Sequence, residues 1–188
     1  EVLEVITEPT TIVKEKRKVR IRSSAKMIEI ERKYLVHPSL LPDLNKFKSK
    51  SLLQGYLQSD AETTIRVRTA GGLAYLTIKG KSENLTRKEF EYEIPMEHAL
   101  ELLKLCGDKV VTKVRYFIPI DNKMWELDIF SQKLEGLILA EIELETENEQ
   151  FEKPEWIAKE VSLDHQFFNS NLSALTAAEA SVILAKIS

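Results

Sequence analysis

The feature that most constrains the fold of this 188-residue chain is a repeated alternation of charged and apolar side chains. Charged residues stand two positions apart in seven segments, such as Glu29 and Glu31 or Arg66 and Arg68, with apolar residues at the positions between them. Successive side chains of a β-strand point to opposite faces of the sheet, so each segment predicts a strand with one charged and one apolar face. The pattern therefore predicts a protein dominated by β-sheet.

Eight strands are predicted from these segments and the turn residues between them. They cover residues 28–36, 53–58, 64–69, 73–79, 87–94, 110–120, 123–130 and 137–145. Short connections such as Gly71-Gly72 and Asp121-Asn122 suit tight turns between antiparallel neighbours. We therefore expect a mainly antiparallel sheet.

Helical segments are predicted at three places. After Pro95, apolar residues recur with helical spacing until Gly107, which indicates an amphipathic helix that covers the sheet. Residues 38–46 predict a shorter helix, and the apolar spacing over 172–185 predicts a C-terminal helix that docks on the rest of the protein. The expected fold class is α+β, with antiparallel strands predominant.

Composition excludes several classes of protein. Apolar residues make up 43% of the chain and charged residues 30%, which excludes a disordered chain, and no apolar run approaches the ~20 residues of a membrane span. The single cysteine, Cys106, excludes an intramolecular disulfide and a thiolate zinc site. A cytoplasmic protein without a membrane partner is expected.

Residues 1–26 differ from the rest of the chain in charge. They carry seven Lys and Arg against four Glu, whereas the whole chain has a net charge of -3. A basic segment can bind nucleic acid or an anionic surface, or it can be a solvated extension. Because no aromatic residues for base stacking are interleaved with its basic residues, we expect a non-catalytic extension, no nucleic-acid partner, and a single domain over residues 27–188.

Two arrangements of the charged faces remain open. In an open sheet the charged face is simply solvated, whereas in a closed eight-stranded barrel the charges line the lumen and the apolar face lies under the helices. Like charges two positions apart repel each other, and here the signs are segregated by strand rather than mixed. This segregation favours the barrel.

A charged lumen would require ligands of both signs. It would hold seven cationic side chains and about ten carboxylates, and an unpaired buried charge costs several kcal/mol per ion. Arg and Lys suit phosphate oxygens, and clustered carboxylates suit Mg²⁺ or Mn²⁺. A polyphosphate complexed with a divalent metal would satisfy both sets.

The motifs that carry these charges resemble those of a known family. Glu29-Ile-Glu-Arg-Lys33 is similar to the Glu-x-Glu-x-Lys signature of the triphosphate tunnel metalloenzymes, also called the CYTH superfamily. Further motifs follow in the family's order: Thr64-Ile-Arg-Val-Arg68, Thr77-Ile-Lys-Gly-Lys81, Arg87-Lys-Glu-Phe-Glu-Tyr-Glu93, Lys113-Val-Arg115, Trp125-Glu-Leu-Asp128 and Ala140-Glu-Ile-Glu143. The resemblance extends from Met27 to about Leu172 and is to the bacterial inorganic triphosphatases.

The resemblance implies a closed eight-stranded tunnel with helices outside, and a role for each matching residue. The acids that match metal ligands for Mg²⁺ or Mn²⁺ are Glu29, Glu31, Asp128, Glu141 and Glu143. The bases that match phosphate ligands are Lys33, Arg66, Arg68, Lys79, Lys81, Lys113 and Arg115. Glu89, Glu91 and Glu126, together with Lys33, match residues that take part in catalysis. One departure lies at 162–166, where bacterial relatives often have Thr and a Pro-Arg pair.

The function expected from this resemblance is the metal-dependent hydrolysis of a triphosphate, most simply of inorganic triphosphate to pyrophosphate and phosphate. Two alternatives remain open, a class IV-like adenylyl cyclase that forms cyclic AMP and a non-catalytic polyphosphate- or nucleotide-binding module. Ten carboxylates would oppose simple anion capture, which argues against the binding module. The expected partner is a small-molecule triphosphate, and the protein is expected to act as a monomer or a homodimer.

Overall fold

The computed structural model describes residues 28–187. Its strands are β1 (Ile28–Val36), β2 (Lys48–Ser59), β3 (Thr64–Ala70), β4 (Leu73–Lys79), β5 (Thr86–Glu93), β6 (Val110–Ile120), β7 (Lys123–Phe130), β8 (Ile138–Glu143) and β9 (Ile157–Glu160). Its α-helices are α1 (Met96–Leu105), α2 (Asn169–Ala174) and α3 (Ala177–Ile187). Short 3₁₀ turns occupy Pro38–Leu40, Leu44–Lys46, Gln132–Leu134 and His165–Phe167.

Eight of these strands form a closed antiparallel barrel. Around the ring the order is β1, β5, β4, β3, β2, β6, β7 and β8, and β8 pairs with β1 again. The seam between β1 and β5 is short, with three paired positions from Ile28 opposite Lys88 to Ile30 opposite Thr86. β9 pairs with β1 outside the closed ring. The expected α+β fold with a closed eight-stranded barrel is confirmed.

The predicted tight turns connect neighbouring strands of this barrel. Gly71 and Gly72 join β3 to β4 with φ angles of +56° and +88°, a backbone region that glycine enters without steric cost. Asp121, with φ +49°, and Asn122 join β6 to β7. Asp and Asn tolerate this region better than other residues with a Cβ, so the local sequence specifies both hairpins.

The structure differs from the sequence prediction in three elements outside the barrel. Residues 38–46 form two 3₁₀ turns rather than one helix, because Pro42 holds Leu41 in an extended conformation. The C-terminal helix is divided in two at Leu175, and a capping box between Thr176 and Glu179 begins α3. The ninth strand, β9, was not predicted.

Three apolar clusters stabilise the barrel. Outside it, Ala99 and Leu103 of α1 pack on Val67 and Ala74, as the amphipathic pattern predicts. A second outer cluster surrounds Trp125, whose side chain is fully buried.

The third cluster closes one end of the lumen. The inward-facing Tyr56, Val111, Phe130 and Leu139 meet there with residues of the C-terminal segment, including Leu172. The charged positions therefore line a tunnel that is closed at this end.

Two further observations bear on the sequence expectations. Among the described residues, no helix is long and apolar enough to cross a membrane. The predicted basic extension, residues 1–26, lies outside the part of the chain that the structure describes.

Candidate active site

The register of the barrel brings residues of opposite charge side by side in the lumen. Antiparallel pairing places Lys33 opposite Glu141, Arg115 opposite Asp128, and Lys79 opposite Glu89. Residues directly opposite each other in an antiparallel pair share a face of the sheet. The register therefore sets cations of β4 and β6 beside acids of β5 and β7, and Lys33 beside Glu141, whereas acids face acids where β8 meets β1 and β7.

Arg115 lies at the centre of the most buried group of charges. Its Nε is 2.7 Å from Asp128 Oδ1, and its Nη2 is 2.6 Å from Asp128 Oδ2 and 2.5 Å from Glu141 Oε2. Its Nη1 contacts Glu126. One guanidinium thus holds three carboxylates, and although burial opposes its charge, these carboxylates keep the pKa of Arg115 well above its usual range.

Lys113 joins this group to the C-terminal segment. Its side chain is fully buried, its Nζ contacts Asp128, and it donates to Asn169 Oδ1 over 3.3 Å. Burial lowers the pKa of Lys113 to about 8, although the charge of Asp128 acts in the opposite direction. Asn169 is the first residue of α2, so the helix after the barrel contacts the charged lumen directly.

Glu31 has too little positive charge around it. Within residues 28–187 it forms an ion pair with Lys33 Nζ at 3.7 Å, while that Nζ lies 2.7 Å from Glu141. Burial and the charge of Glu141 raise the pKa of Glu31 to about 7. The register also sets Glu31 opposite Glu143 and Glu126 opposite Glu141, and like charges directly opposite each other destabilise a sheet. A bound cation between β1, β7 and β8 would therefore reduce the repulsion among these carboxylates.

A second group of charges lies at the seam between β1, β4 and β5. Lys79 Nζ is 2.9 Å from Glu29 and 2.6 Å from Glu89, and Arg87 Nε is 2.6 Å from Glu29. Burial alone would raise the pKa of Glu29, but Lys79 and Arg87 hold it well below its usual range. Glu29 is consequently an ionised carboxylate shared by two cations.

The third group combines two arginines with one acid on the β3 to β5 wall. Arg68 Nη2 donates to Glu91 Oε2 over 2.8 Å, and Arg66 Nη2 lies 3.5 Å from the same oxygen. The Thr77 hydroxyl accepts from Arg66 and donates to Glu91. Burial and the neighbouring Arg66 lower the pKa of Arg68. Two guanidinium groups thus face the lumen with a single carboxylate between them.

Most of the residues predicted from the sequence come together in these groups, whereas Lys81 lies apart from them and Glu143 lies at their edge. Lys81 has a side chain that is 61% exposed and pairs with Glu62 at 2.8 Å, because β4 ends at Lys79 and the chain leaves the barrel wall. Glu143 lies at the exposed end of β8, opposite Glu31.

Other residues of the site were missed by the sequence analysis. They are Gln54, Tyr56, Thr77, Arg87 and Asn169, which the structure places at or beside the lumen. Arg87 stands two positions before Glu89, so the alternation itself could have indicated it. The neutral residues carry no charge signal that the alternation could reveal.

The acids of the lumen are held by cations rather than arranged around a preformed metal position. Within residues 28–187, no group of three or more His, Cys, Asp and Glu side chains is arranged to hold a metal ion. The donor set nevertheless fits a hard divalent cation, because Glu31, Glu141 and Glu143 supply only carboxylate oxygens, and the register sets Glu31 opposite Glu143, two positions from Glu141 on the same strand. Such an ion would compensate the like charges that the register brings together.

Known proteins share both the sequence and the fold. Residues 27–177 match the CYTH domain family. The chain is 44% identical over 147 residues to an inorganic triphosphatase of Acetivibrio thermocellus, an alignment that covers 77% of this chain and 92% of that relative. It is 32% identical over 151 residues to an inorganic triphosphatase of Nitrosomonas europaea, which covers 78% of this chain and 97% of that relative.

A solved structure agrees with these relatives. The crystal structure of an inorganic triphosphatase superposes with a TM-score of 0.59 at 30% identity, covering 79% of this chain and 95% of the other. The sequence match covers every strand of the described barrel and all of its charged positions. On this combined agreement of sequence, barrel and charged lumen, the chain belongs to the CYTH domain family.

Proposed function

We propose that this protein is a divalent-metal-dependent hydrolase that cleaves the terminal phosphoanhydride bond of inorganic triphosphate, releasing pyrophosphate and phosphate. One observation carries the proposal: paired cations and mutually facing carboxylates line a closed barrel that an apolar cluster seals at one end. A polyanion alone would satisfy the cations and leave the carboxylates repelling it. A triphosphate with a divalent cation satisfies both sets of charges.

The cations would bind the phosphate chain. They are Lys33, Arg66, Arg68, Lys79, Lys113 and Arg115, each of which has a side chain no more than 17% exposed. In a lumen of low dielectric, charges at contact distance act far more strongly than in water. These side chains are held in place by their carboxylate partners before substrate arrives, so little reorganisation is needed when negative charge develops on the leaving pyrophosphate. Lys33 and Arg115 both contact Glu141, and we assign them to this task.

Lys81 differs from these six cations because its side chain lies outside the lumen. Its exposed ammonium pairs with Glu62 and contacts none of the lumen carboxylates within the described residues. The family resemblance implies a phosphate ligand at this position, which would require the Lys81 side chain to leave Glu62 when substrate binds. We therefore assign the contacts at the buried phosphates to the six lumen cations.

The metal would be held by Glu29, Glu31, Asp128, Glu141 and Glu143, and we propose Mg²⁺ or Mn²⁺. When bound, the ion would neutralise charge on phosphate oxygens and favour ionisation of a water molecule. Metal binding would displace Lys33 and Arg115 from part of their contacts with Glu141, which frees donors for phosphate. Substrate and metal are therefore expected to bind with positive coupling.

The remaining acids would position the attacking water and accept its proton. Glu89, Glu91 and Glu126 face the lumen, and burial raises the pKa of Glu126 despite the nearby Arg115. A carboxylate with a raised pKa is a better proton acceptor near neutral pH. Water would attack the terminal phosphorus, the bond to the bridging oxygen would break, and the electron pair would leave on pyrophosphate.

The cellular compartment and the oligomeric state are also part of the proposal. The single cysteine, Cys106, suits a reducing compartment, and we place the reaction in the cytoplasm. The substrate is a small molecule, and all of the lumen groups described above come from one chain, so a monomer or a homodimer is equally able to act.

The test is an activity assay with product identification. The protein is incubated with inorganic triphosphate, ATP, thiamine triphosphate and long-chain polyphosphate, each with Mg²⁺ or Mn²⁺ and with a chelator as control. We expect phosphate and pyrophosphate from inorganic triphosphate, and no turnover with the chelator. Cyclic AMP from ATP, or binding of triphosphate without any turnover, would contradict the proposal.

A matched pair of variants connects the activity to the lumen. Glu31→Gln keeps the side-chain volume and removes one of the facing charges, and we expect at least a 100-fold fall in kcat/KM, about 2.7 kcal/mol of transition-state stabilisation. Glu62→Gln removes an acid whose side chain is 69% exposed outside the lumen and should leave the rate unchanged. Equal rates for both variants at saturating metal would refute the assignment.

A further inference from the structure

Two exposed lysines, Lys48 and Lys50, lie at the end of the barrel away from the apolar cluster, in contrast to the buried cations of the lumen. Lys50 lies directly opposite Arg115 across the β2 to β6 pair, and Lys48 lies opposite Phe117. Because directly opposed residues share a face, Lys50 and Lys48 continue the lumen row outward from Arg115. Both lysines are exposed, whereas Leu52 and Gln54 on the same face of β2 are buried. The row thus passes from the buried lumen to the mouth of the tunnel.

These two lysines lack the acidic partners that the deeper cations have. Within the part of the chain that the structure describes, neither Lys48 nor Lys50 forms an ion pair with a carboxylate. Every cation of the three lumen groups, by contrast, contacts at least one carboxylate. Because no described carboxylate pairs with these lysines, they can bind phosphate oxygens that are not coordinated to a metal ion.

The surface around the lysines forms a depression rather than a flat face. It has a volume of about 590 Å³ and is lined by Lys48, Ser49, Lys50, Phe117 and Met124. The ammonium of Lys50 lies over the Phe117 ring, 5.8 Å from its centroid. Such a cation–π contact orients the ammonium but compensates its positive charge only weakly, so the ammonium can still bind an anion.

We infer that this depression, here called the entrance site, binds the phosphates of a linear polyphosphate that extend beyond the three held in the lumen. The inference rests on the proposed function, because it takes the buried cations as the ligands of three phosphates. A neutral nucleobase or ribose would leave both ammonium groups without a counter-charge, whereas a fourth and a fifth phosphate supply one. Lys48 and Lys50 are two positions apart on one strand face, ~7 Å, and so can contact successive parts of an extended anion.

The entrance site also explains how substrates of different length can use one tunnel. The opposite end is closed by the apolar cluster around Tyr56, Val111 and Phe130, so within the described part of the chain a longer polyphosphate would extend toward Lys50 and Lys48. A triphosphate would fill the lumen and stop short of the lysines. Chains longer than three phosphates would therefore gain affinity from the entrance site, and triphosphate would not.

The experiment compares substrates on the double variant Lys48→Ala/Lys50→Ala. We expect KM for inorganic tetraphosphate and for longer polyphosphate to rise about tenfold, while KM for triphosphate stays within twofold. The matched control is Lys88→Ala/Lys104→Ala, which removes two exposed lysines from the outer surface of β5 and α1 and should change neither value. The difference between tetraphosphate and triphosphate should also shrink as KCl is raised.

Three results would overturn the inference. An unchanged KM for tetraphosphate would show that the lysines bind nothing, an equal rise for triphosphate would make them general attractors of anions, and a rise confined to ATP would indicate a nucleoside site. If the parent protein hydrolyses none of these anions, the proposed function fails. The entrance site is then tested separately by calorimetric dissociation constants for tetraphosphate and triphosphate in the parent and the double variant.

Discussion

Replacement of Arg115 by Met is the sharpest test of how the charged lumen contributes to stability. Met has a similar length, so the substitution removes the guanidinium without opening a large cavity. Arg115 contacts Asp128, Glu126 and Glu141, and its side chain is 10% exposed. Its loss leaves three carboxylates that share a buried space without their common cation.

The expected magnitude follows from this arrangement. Removal of one partner of a buried ion pair costs about 3–5 kcal/mol of unfolding free energy, because the remaining charge is left uncompensated. For a domain of this size, each kcal/mol lowers Tm by about 2–4 °C, so the expected decrease in Tm is about 6–20 °C. Added Mg²⁺ should recover more of the Tm in the Arg115→Met variant than in the parent, since the freed carboxylates gain a cation that binds only the folded state.

The assay is thermal denaturation followed by circular dichroism, with and without Mg²⁺. The control is Lys104→Met, because Lys104 lies on the outer surface of α1, has a side chain that is 71% exposed and pairs with the carboxylate of Glu101 at 2.6 Å. An exposed pair of this kind contributes about 0–1 kcal/mol, so its Tm should fall by no more than about 4 °C. Equal losses in the two variants would refute the view that the lumen charges are held in a mutually compensating network.

Three further predictions concern packing, the site and the chain before the barrel. Gly55→Ala should cost about 1–3 kcal/mol of unfolding free energy in a urea titration, because its Cβ would lie 2.6 Å from Cys106 Sγ, and Cys106→Ala should recover part of that loss. Thr77→Val should lower kcat/KM for triphosphate about tenfold in steady-state assays, because it removes the hydroxyl that donates to Glu91 over 3.0 Å, a bond to a charged group worth about 1.5–3 kcal/mol. A chain that begins at Met27 should keep its Tm and stay within about threefold of the parent rate, since charges outside the lumen are screened beyond about 8 Å at physiological ionic strength.

Each of these predictions has its own contradicting result. An unchanged unfolding free energy for Gly55→Ala would mean that α1 packs less closely on β2 than described. Thr112→Val is the control for Thr77→Val, because the Thr112 hydroxyl has no hydrogen-bond partner among the described residues, and an equal loss in both would remove the special role of Thr77. A folded but inactive chain from Met27 would place residues 1–26 in the active site.

The charged lumen shows how far local sequence can predict a site. The pairs Glu29 and Glu31, Arg66 and Arg68, and Lys113 and Arg115 alternate with apolar residues, and the structure places all of them inside the barrel. This inference was possible because alternation is a property of the extended backbone and needs no knowledge of strand partners. Arg87 obeys the same rule and was missed only because its motif was assigned by its acids.

Other features depended on contacts that the sequence does not display. β9 has four residues and no alternating pattern, and in the described range 28–187 it pairs with β1 alone, so nothing local marks it as a strand. Asn169 reaches Lys113 from 56 positions away, and this contact exists because the C-terminal segment folds over the end of the barrel. A neutral amide carries no signal that predicts such a position.

The sequence by itself indicated most of the strands and which face each of their side chains takes, although β2 begins five residues before its predicted start and β9 was not predicted. Only the tertiary structure decided that β1 closes on β5, which acids share each cation, that Lys81 lies outside the lumen, and that an apolar cluster seals one end. The physical reason is the separation along the chain of the residues that each feature involves. Side-chain alternation follows from the dihedral angles of neighbouring residues, whereas closure, register and charge pairing join residues that are distant in the chain and depend on the whole barrel being formed.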